Sequence, residues 1–461
     1  MSKFKPNRYT VAAIANEPPP SFEARSVSVL QAGANGPSTI PVTAEPVQAE
    51  VEASPFRTSA HRFALNAALV FFFFRFSFLH EFISGHLHID LHLMILLGGL
   101  CYLGCLLSGG AARAFKDKCT WMWIGFVGCM AMATFTSIWR GGSLPYLINY
   151  VKNILPVVLI IPAVVHTRQD VRKLLAVIGL AGIANAALGF ISSDFKEGRM
   201  GLEAAGSIAD PNDYAAHLIF LIPAIVYLTF GLRRSIFYRI LGIGAVGAAL
   251  YQILSTGSRG GFVSLLAFAL YVFLTGSGKV KGAILIGAPL LVLLTLPLVP
   301  HQATSRLASL FDSKQETEEA AESTQARRAL LEASLRATFS HPLFGIGPGV
   351  FQDYEAGEAA GNGKKGMWHD THNAYTQVSA ECGIPALIFY VAALGFTFVY
   401  LRRAIKASDE FCRSAAKTLS IMLFGFGVCV LFLSKGYNFN FLAVSGLAIS
   451  LKQILFDPNK A

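Results

Sequence analysis

Charge is what this sequence has least of. Only 14% of its 461 residues are Asp, Glu, Lys or Arg, against roughly 25% in an average soluble domain. So few charges cannot coat a globule of this size, which excludes an ordinary cytosolic enzyme and a charged, disordered scaffold. The seven cysteines include no CxxC pair, which leaves neither a disulfide framework nor a zinc-type array. Cys101 and Cys105 would share one helix face and read as small apolar residues. No apolar stretch follows the first basic residues, so no signal peptide is expected. No internal repeat and no pair of inverted halves is visible, which argues against one common transporter architecture.

What is present instead is hydrocarbon. The chain is 53% hydrophobic with 36 Phe and 42 Gly, and its mean hydropathy is +0.51. A bilayer core about 30 Å thick takes about 20 apolar residues per helix. Twelve segments qualify, near 62–80, 91–110, 119–138, 145–165, 172–193, 214–231, 237–254, 259–275, 280–300, 383–401, 417–433 and 436–455. The expected fold is therefore an all-α, polytopic membrane protein. Residues 1–61, which hold eight of the 20 prolines, read as a disordered cytoplasmic tail. Helices one to nine would occupy 62–300 and helices ten to twelve 383–455. Between them, 301–382 would form a long outer loop carrying amphipathic helices, and 456–461 would be a cytoplasmic end.

The formal net charge of +10 would suggest nucleic acid in a soluble protein, but its distribution says otherwise. With the N-terminus inside, the short inner loops carry sixteen Lys and Arg and the short outer loops five: Arg140, Lys196, Arg199, Arg259 and Lys435. That is the positive-inside asymmetry. It puts both termini in the cytoplasm, the long loop outside, and no nucleic acid among the partners. Inner cations orient the protein, whereas each outer cation needs another reason.

Several outer residues could carry chemistry. Arg259 lies in Ser255-Thr-Gly-Ser-Arg-Gly-Gly, where Gly257, Gly260 and Gly261 permit a tight turn and close approach of a ligand to backbone amides. An arginine at an outer helix start suits a diphosphate, although an interfacial, snorkelling arginine reads equally well. Arg327 and Arg328 lie on a helix expected over 323–340, whose repeating Leu331, Leu335, Thr338 and Phe339 suggest an amphipathic face on the membrane surface. Arg199 follows Gly198 as a third anion contact or an exposed loop residue. His372, just before helix ten, has the chemistry to take a proton from a sugar hydroxyl or simply to cap the helix. His369 and Asp370 are close enough for a metal, yet three residues on one loop are a weak ligand set, and no metal or cofactor is expected. Asn212 or Asp213 reads as the cap of helix six. Arg75, within a phenylalanine run, reads as a snorkelling residue.

Taken in order, Gly198-Arg, Asp210-Pro-Asn-Asp, Thr256-Gly-Ser-Arg-Gly-Gly, Arg327, His341-Pro-Leu-Phe-Gly-Ile-Gly-Pro-Gly, His372-Asn-Ala-Tyr and Glu381-Cys-Gly-Ile-Pro resemble the O-antigen ligase and polymerase superfamily of bacterial membrane glycosyltransferases. The resemblance covers roughly 198–401. It implies an inner-membrane, metal-independent transferase that uses an undecaprenyl-diphosphate-linked glycan. The acceptor would be lipid A core for a ligase, or a growing glycan for a polymerase of O-antigen or exopolysaccharide. The family's essential arginines carry onto Arg259 and Arg327, with Arg328 as the alternative, and its essential histidine onto His372. Arg328, Arg199 and Asn373 would contact diphosphate or glycan. The ligase pattern that runs from His372 and Asn373 through Gly383 departs at its last position, Ala386. A transporter is the reading from another class, and it is disfavoured because most mid-span stretches lack ionisable residues.

Overall fold

Apolar segments of about twenty residues must satisfy their backbone groups internally, and helices are the simplest way to do so. The computed structural model describes residues 55–89, 92–196, 198–202, 206–231, 235–311, 318–361, 363 and 366–456. The tail expected up to residue 54, Arg233, Arg234, Glu316 and the final residues 457–461 lie outside the described residues. Helix α1 (Pro55–Ser77) starts inside the stretch read as tail, because proline is suited to a first helical turn, where its missing N–H costs nothing. It bends by 68° at Phe78 into α2 (Leu79–Leu87). Next, α3 (Leu93–Ser108) lies so close on α1 that a Cβ at position 104 would meet Ala64 at 2.7 Å.

Polar residues at the breaks serve as caps. After α4 (Ala111–Phe115), Asp117 accepts from the amide of Cys119 at 2.8 Å and starts α5 (Lys118–Thr136). Helices α6 (Arg140–Asn149) and α7 (Leu155–Val164) are joined by a π-turn at Tyr150–Ile154. Thr167 and Asp170 form a capping box on α8 (Arg168–Ile191). An antiparallel hairpin, β1 (Ser193–Lys196) and β2 (Arg199–Leu202), leads to α9 (Pro211–Val226), α10 (Ile236–Ser255), α11 (Arg259–Thr275) and α12 (Gly278–Thr295). The long loop holds α13 (His301–Ala308), α14 (Glu318–Ser340) and α15 (Phe351–Gly361). The chain closes with α16 (Ala374–Lys406), α17 (Glu410–Cys429) and α18 (Phe439–Phe456).

The twelve apolar segments are all helical, but they are not twelve equal spans. Among the described residues, nine helices are long and apolar enough to cross a membrane, or ten with the bent α1–α2 pair. Helices α3 and α11, at 16 and 17 residues, are shorter. Burial separates centre from rim. Helix α9 is almost wholly enclosed, whereas α12 exposes Leu285, Ile286, Leu290, Leu293 and Leu294, a surface that only lipid chains can cover. This is an all-α polytopic membrane protein.

The loop helix α14 carries an exposed apolar face and a buried one, and of the residues expected on its amphipathic face only Thr338 lies on the buried side. Leu331, Leu335 and Phe339 are exposed, while Leu330, Ala333, Ser334, Ala337 and Thr338 are buried. With Ile346, Val350, Phe351 and Ala380, the apolar members of that buried set form a second small core that clamps α14 to α16. Small residues pack here because they let the backbones approach.

Candidate functional site

The site is built where β2, α9, α11, α13, α14 and the extended segment before α16 meet. Asp210, rather than the expected Asn212 or Asp213, caps α9, accepting from both of their amides at 2.8 and 3.4 Å. Asn212 is thereby free for another task. Its Oδ1 accepts from Arg199 Nη2 at 3.2 Å and from Ser258 Oγ at 2.7 Å, while Arg199 Nε donates to the Thr256 carbonyl at 3.1 Å. Ser258 in turn caps α11 through the Gly261 amide at 3.0 Å. One network therefore fixes the Arg199 guanidinium and the start of α11 together.

The glycines around Arg259 divide their roles. Gly257 has φ +58° and makes the tight turn. Gly260 and Gly261, read as room for a ligand, are filled by neighbours instead, since a Cβ would meet Phe432 at 2.8 Å and Ala215 at 2.9 Å. Arg259 is half-buried, and its Nη2 donates to Thr324 Oγ1 on α14 at 2.9 Å.

The register of α14 decides between the two loop arginines. Arg327 precedes Leu330 by three residues and so shares its inward face. Arg328 points outward, 84% exposed, and pairs with Glu332 at 3.3 Å. A cavity of about 370 Å³ is lined by Arg199, Arg259, Arg306, Arg327, His369 and His372, with Asn212, Gly257, Glu322, Ala326 and Leu330 completing the wall. The structure thus brings Arg199, Arg259, Arg327 and His372 together, and leaves out Arg328 and Asn373. Asn373 caps α16, its Oδ1 accepting from the amides of Tyr375 and Thr376 at 2.9 and 3.2 Å.

His372 adopts φ +50°, a left-handed conformation that a non-glycine residue rarely takes. Its N–H donates to Ser434 Oγ at 2.8 Å, which holds the strained residue against the α17–α18 connection. Burial, and then the neighbouring Arg327 charge, lower the His372 pKa below the ordinary imidazole value, with Asp370 and Asp210 opposing. The ring therefore stays neutral further into acid. Burial followed by the Arg259 charge likewise lowers the Arg327 pKa, and Arg306 adds to this while Asp210 opposes it. Burial is the larger cause of both shifts, and the neighbouring guanidiniums add to it.

The glycine-rich turn does not touch this cavity; it holds the loop in place. Helix α16 breaks at Gly383, φ +87°, and the carbonyls of Ala380 and Glu381 accept from Ile346 and Gly347, both at 2.9 Å. Pro342 O accepts from Ile384 at 2.8 Å. A side chain at 383 would collide with the Leu343 carbonyl. Within the turn the Gly349 amide donates to Glu381 Oε2 at 2.9 Å, and the Tyr437 hydroxyl donates to the same oxygen at 2.6 Å.

Arg306 and His369 are cavity residues that the sequence did not single out as anion contacts. Arg306 belongs to no recognisable motif. The rule that an outer cation needs a reason would have found it, had it been extended from the short loops to the long one. A groove of about 1200 Å³ between α1, α2, α3 and α7 is larger, but no such cluster of cations converges there.

Residues 244–391 match the family described as O-Antigen ligase. The matched stretch contains Arg259, Arg306, Arg327, His369 and His372; Arg199 lies before it. No curated protein matches the chain.

Proposed function

We propose that this chain, whose residues 244–391 match the family described as O-Antigen ligase, transfers a glycan from an undecaprenyl-diphosphate carrier to a hydroxyl acceptor at the outer face of a bacterial inner membrane. Both termini are then cytoplasmic, as the basic inner loops require. The observation that carries this reading is the cavity in which Arg199, Arg259, Arg306 and Arg327 converge beside His372.

In the reaction the acceptor oxygen bonds to the anomeric carbon while the bond from that carbon to the diphosphate oxygen breaks. The bonding pair leaves with the diphosphate, and the hydroxyl proton passes to His372. Attack opposite the leaving group inverts the anomeric centre. Charge develops on the diphosphate oxygens, where guanidiniums bind bidentately and offset it without needing a metal. A neutral His372 is the form that can accept a proton. Lipid A core as acceptor makes the protein a ligase. Polymerase action on a growing glycan is the second reading, favoured by Ala386, which departs from the ligase pattern.

The test uses purified protein with lipid-linked glycan extracted from the cells that make it. Label appearing on lipid A core supports the ligase, and longer carrier-linked chains support the polymerase. Full transfer by both Arg259→Ala and Arg327→Ala would sink the reading altogether.

A further inference from the structure

Four consecutive residues between α17 and α18 each hold a different residue around the site, and they lie beyond the matched stretch 244–391. Ser434 Oγ accepts from the His372 amide at 2.8 Å. Lys435 pairs with Asp213 at 2.7 Å, at the start of α9. The Gly436 amide donates to Gln377 Oε1 at 3.0 Å, in the first turn of α16. The Tyr437 hydroxyl donates to Glu381 at 2.6 Å, on the carboxylate oxygen that also receives the Gly349 amide. A segment bonded to its surroundings at every residue behaves as a rigid strap. Its far end is fixed as well. Arg75, expected to snorkel, places its guanidinium 4.4 Å from the centre of the ring of Phe439, the first residue of α18.

The strap's first contact falls on a strained residue. His372 has φ +50°, and a non-glycine residue keeps that conformation only where its surroundings over-determine it. Ser434 does this in two ways. Its oxygen takes the His372 N–H. Its own hydrogen faces Thr371 Oγ1 at 3.3 Å, an oxygen left to accept because the threonine hydroxyl donates to the Asn373 carbonyl at 3.0 Å. Thr371 is only 2% exposed, which closes that side of the bracket to water. Residues 371–373 are thus tied to one side chain 62 positions away from the histidine.

The direction of the His372 side chain depends on that φ. In the ordinary right-handed region the same residue would aim its ring in another direction. Ser434 does not line the arginine cavity, so its effect passes through the histidine. The Lys435–Asp213 pair ties the same strap to α9, where the neighbouring Asn212 orients Arg199. One short segment therefore sets the separation of the proposed base from an anion contact, and a misplacement of about 1 Å can cost about a hundredfold in rate.

We propose that Ser434 is a positioning residue for glycan transfer: it holds the His372 backbone left-handed and thereby aims the imidazole at the acceptor hydroxyl. The proposal rests on the transferase reading above and adds to it a residue outside the matched stretch.

The test compares Ser434→Ala and Ser434→Thr in the full-length protein, with donor and acceptor lipids extracted from the cells that make it. Ser434→Ala should lower kcat by about ten- to a hundredfold, with the donor KM and the acceptor KM each within about twofold. Ser434→Thr keeps the oxygen and should stay within about threefold of the unaltered rate. The double variant Ser434→Ala, His372→Ala separates positioning from general support of the fold. Its rate should equal that of His372→Ala alone, since a residue acting through the histidine then has nothing left to act on. Hydrogen exchange of the peptide containing His372 reads the same contact without transfer and should quicken in Ser434→Ala. An unchanged kcat or unchanged exchange in Ser434→Ala overturns the proposal, as does a full additional loss in the double variant. If Ser434→Ala does not fold, Ser434→Cys, close in shape but a weak acceptor, replaces it in every measurement. No transfer by the unaltered protein sinks the transferase reading and this role with it, whereas normal transfer by both the unaltered protein and Ser434→Ala sinks this role alone.

Discussion

The two ends of the helical bundle differ in how many cations share one place. At the end bearing the short basic loops, cations meet acids or amides. Lys452 pairs with Asp117 at 2.6 Å, and that carboxylate also caps α5 and accepts from Tyr400 at 3.0 Å. Arg168 pairs with Asp409 at 2.6 Å, and Arg113 donates to Gln453 at 2.9 Å. At the other end, four arginines from β2, α11, α13 and α14 face one cavity; burial lowers the pKa of both Arg327 and His372, with Arg259 and Arg306 adding to the first and Arg327 to the second. Paired charge fastens helices together. Several cations on one cavity wall, each with partners of its own, suit a ligand of opposite sign. The contrast predicts that variants at the first end change stability and variants at the second change rate.

The largest effect is expected at the base. His372→Ala should lower transfer by about 10² to 10⁴, the usual range for general acid–base catalysis, with the melting temperature in detergent held. Next, Arg259→Ala or Arg327→Ala should each cost about 10² to 10³ in rate, as loss of one electrostatic contact to a leaving group does. A large fall in melting temperature in either would move the arginines into the fastening class. Asp117→Ala should do the reverse. It strands Lys452 and removes a cap, so stability should drop by about 3 kcal/mol, while both KM values stay unchanged.

Smaller effects sharpen the same contrast. His372 acts when neutral, and its pKa lies below the ordinary imidazole value of about 6.5, so the acid limb of the rate profile should fall below that pH. Arg327→Gln removes a cation that lowers it. The limb of its residual activity should therefore move to higher pH, and an unmoved limb would separate the two residues. The smallest effect belongs to Arg328→Ala, which breaks only an exposed pair with Glu332. Transfer should stay within about twofold.

The choice between Arg327 and Arg328 shows why the site was only partly legible. The spacing of Leu331, Leu335 and Phe339 gives α14 an apolar face but does not say which face meets α16. That face is Leu330, Ala333 and Ala337, small residues that allow close helix packing, and it carries Arg327 rather than Arg328 toward the cavity. The capping positions were misplaced by a similar margin. Asp210 takes the α9 cap, which turns Asn212 toward Arg199 and Ser258. Asn373, expected at the substrate, caps α16 through its Oδ1.

By itself the sequence determined the class of the protein and that its apolar segments are helical, because hydrocarbon thickness and backbone hydrogen bonding leave few options to a chain with so little charge. It also marked Arg199, Arg259, Arg327 and His372 as residues in need of a reason. Only the tertiary structure decided that they share a wall with Arg306 and His369 and that Arg328 faces away. Those facts depend on helix rotation and on contacts across more than a hundred residues, which no local periodicity encodes.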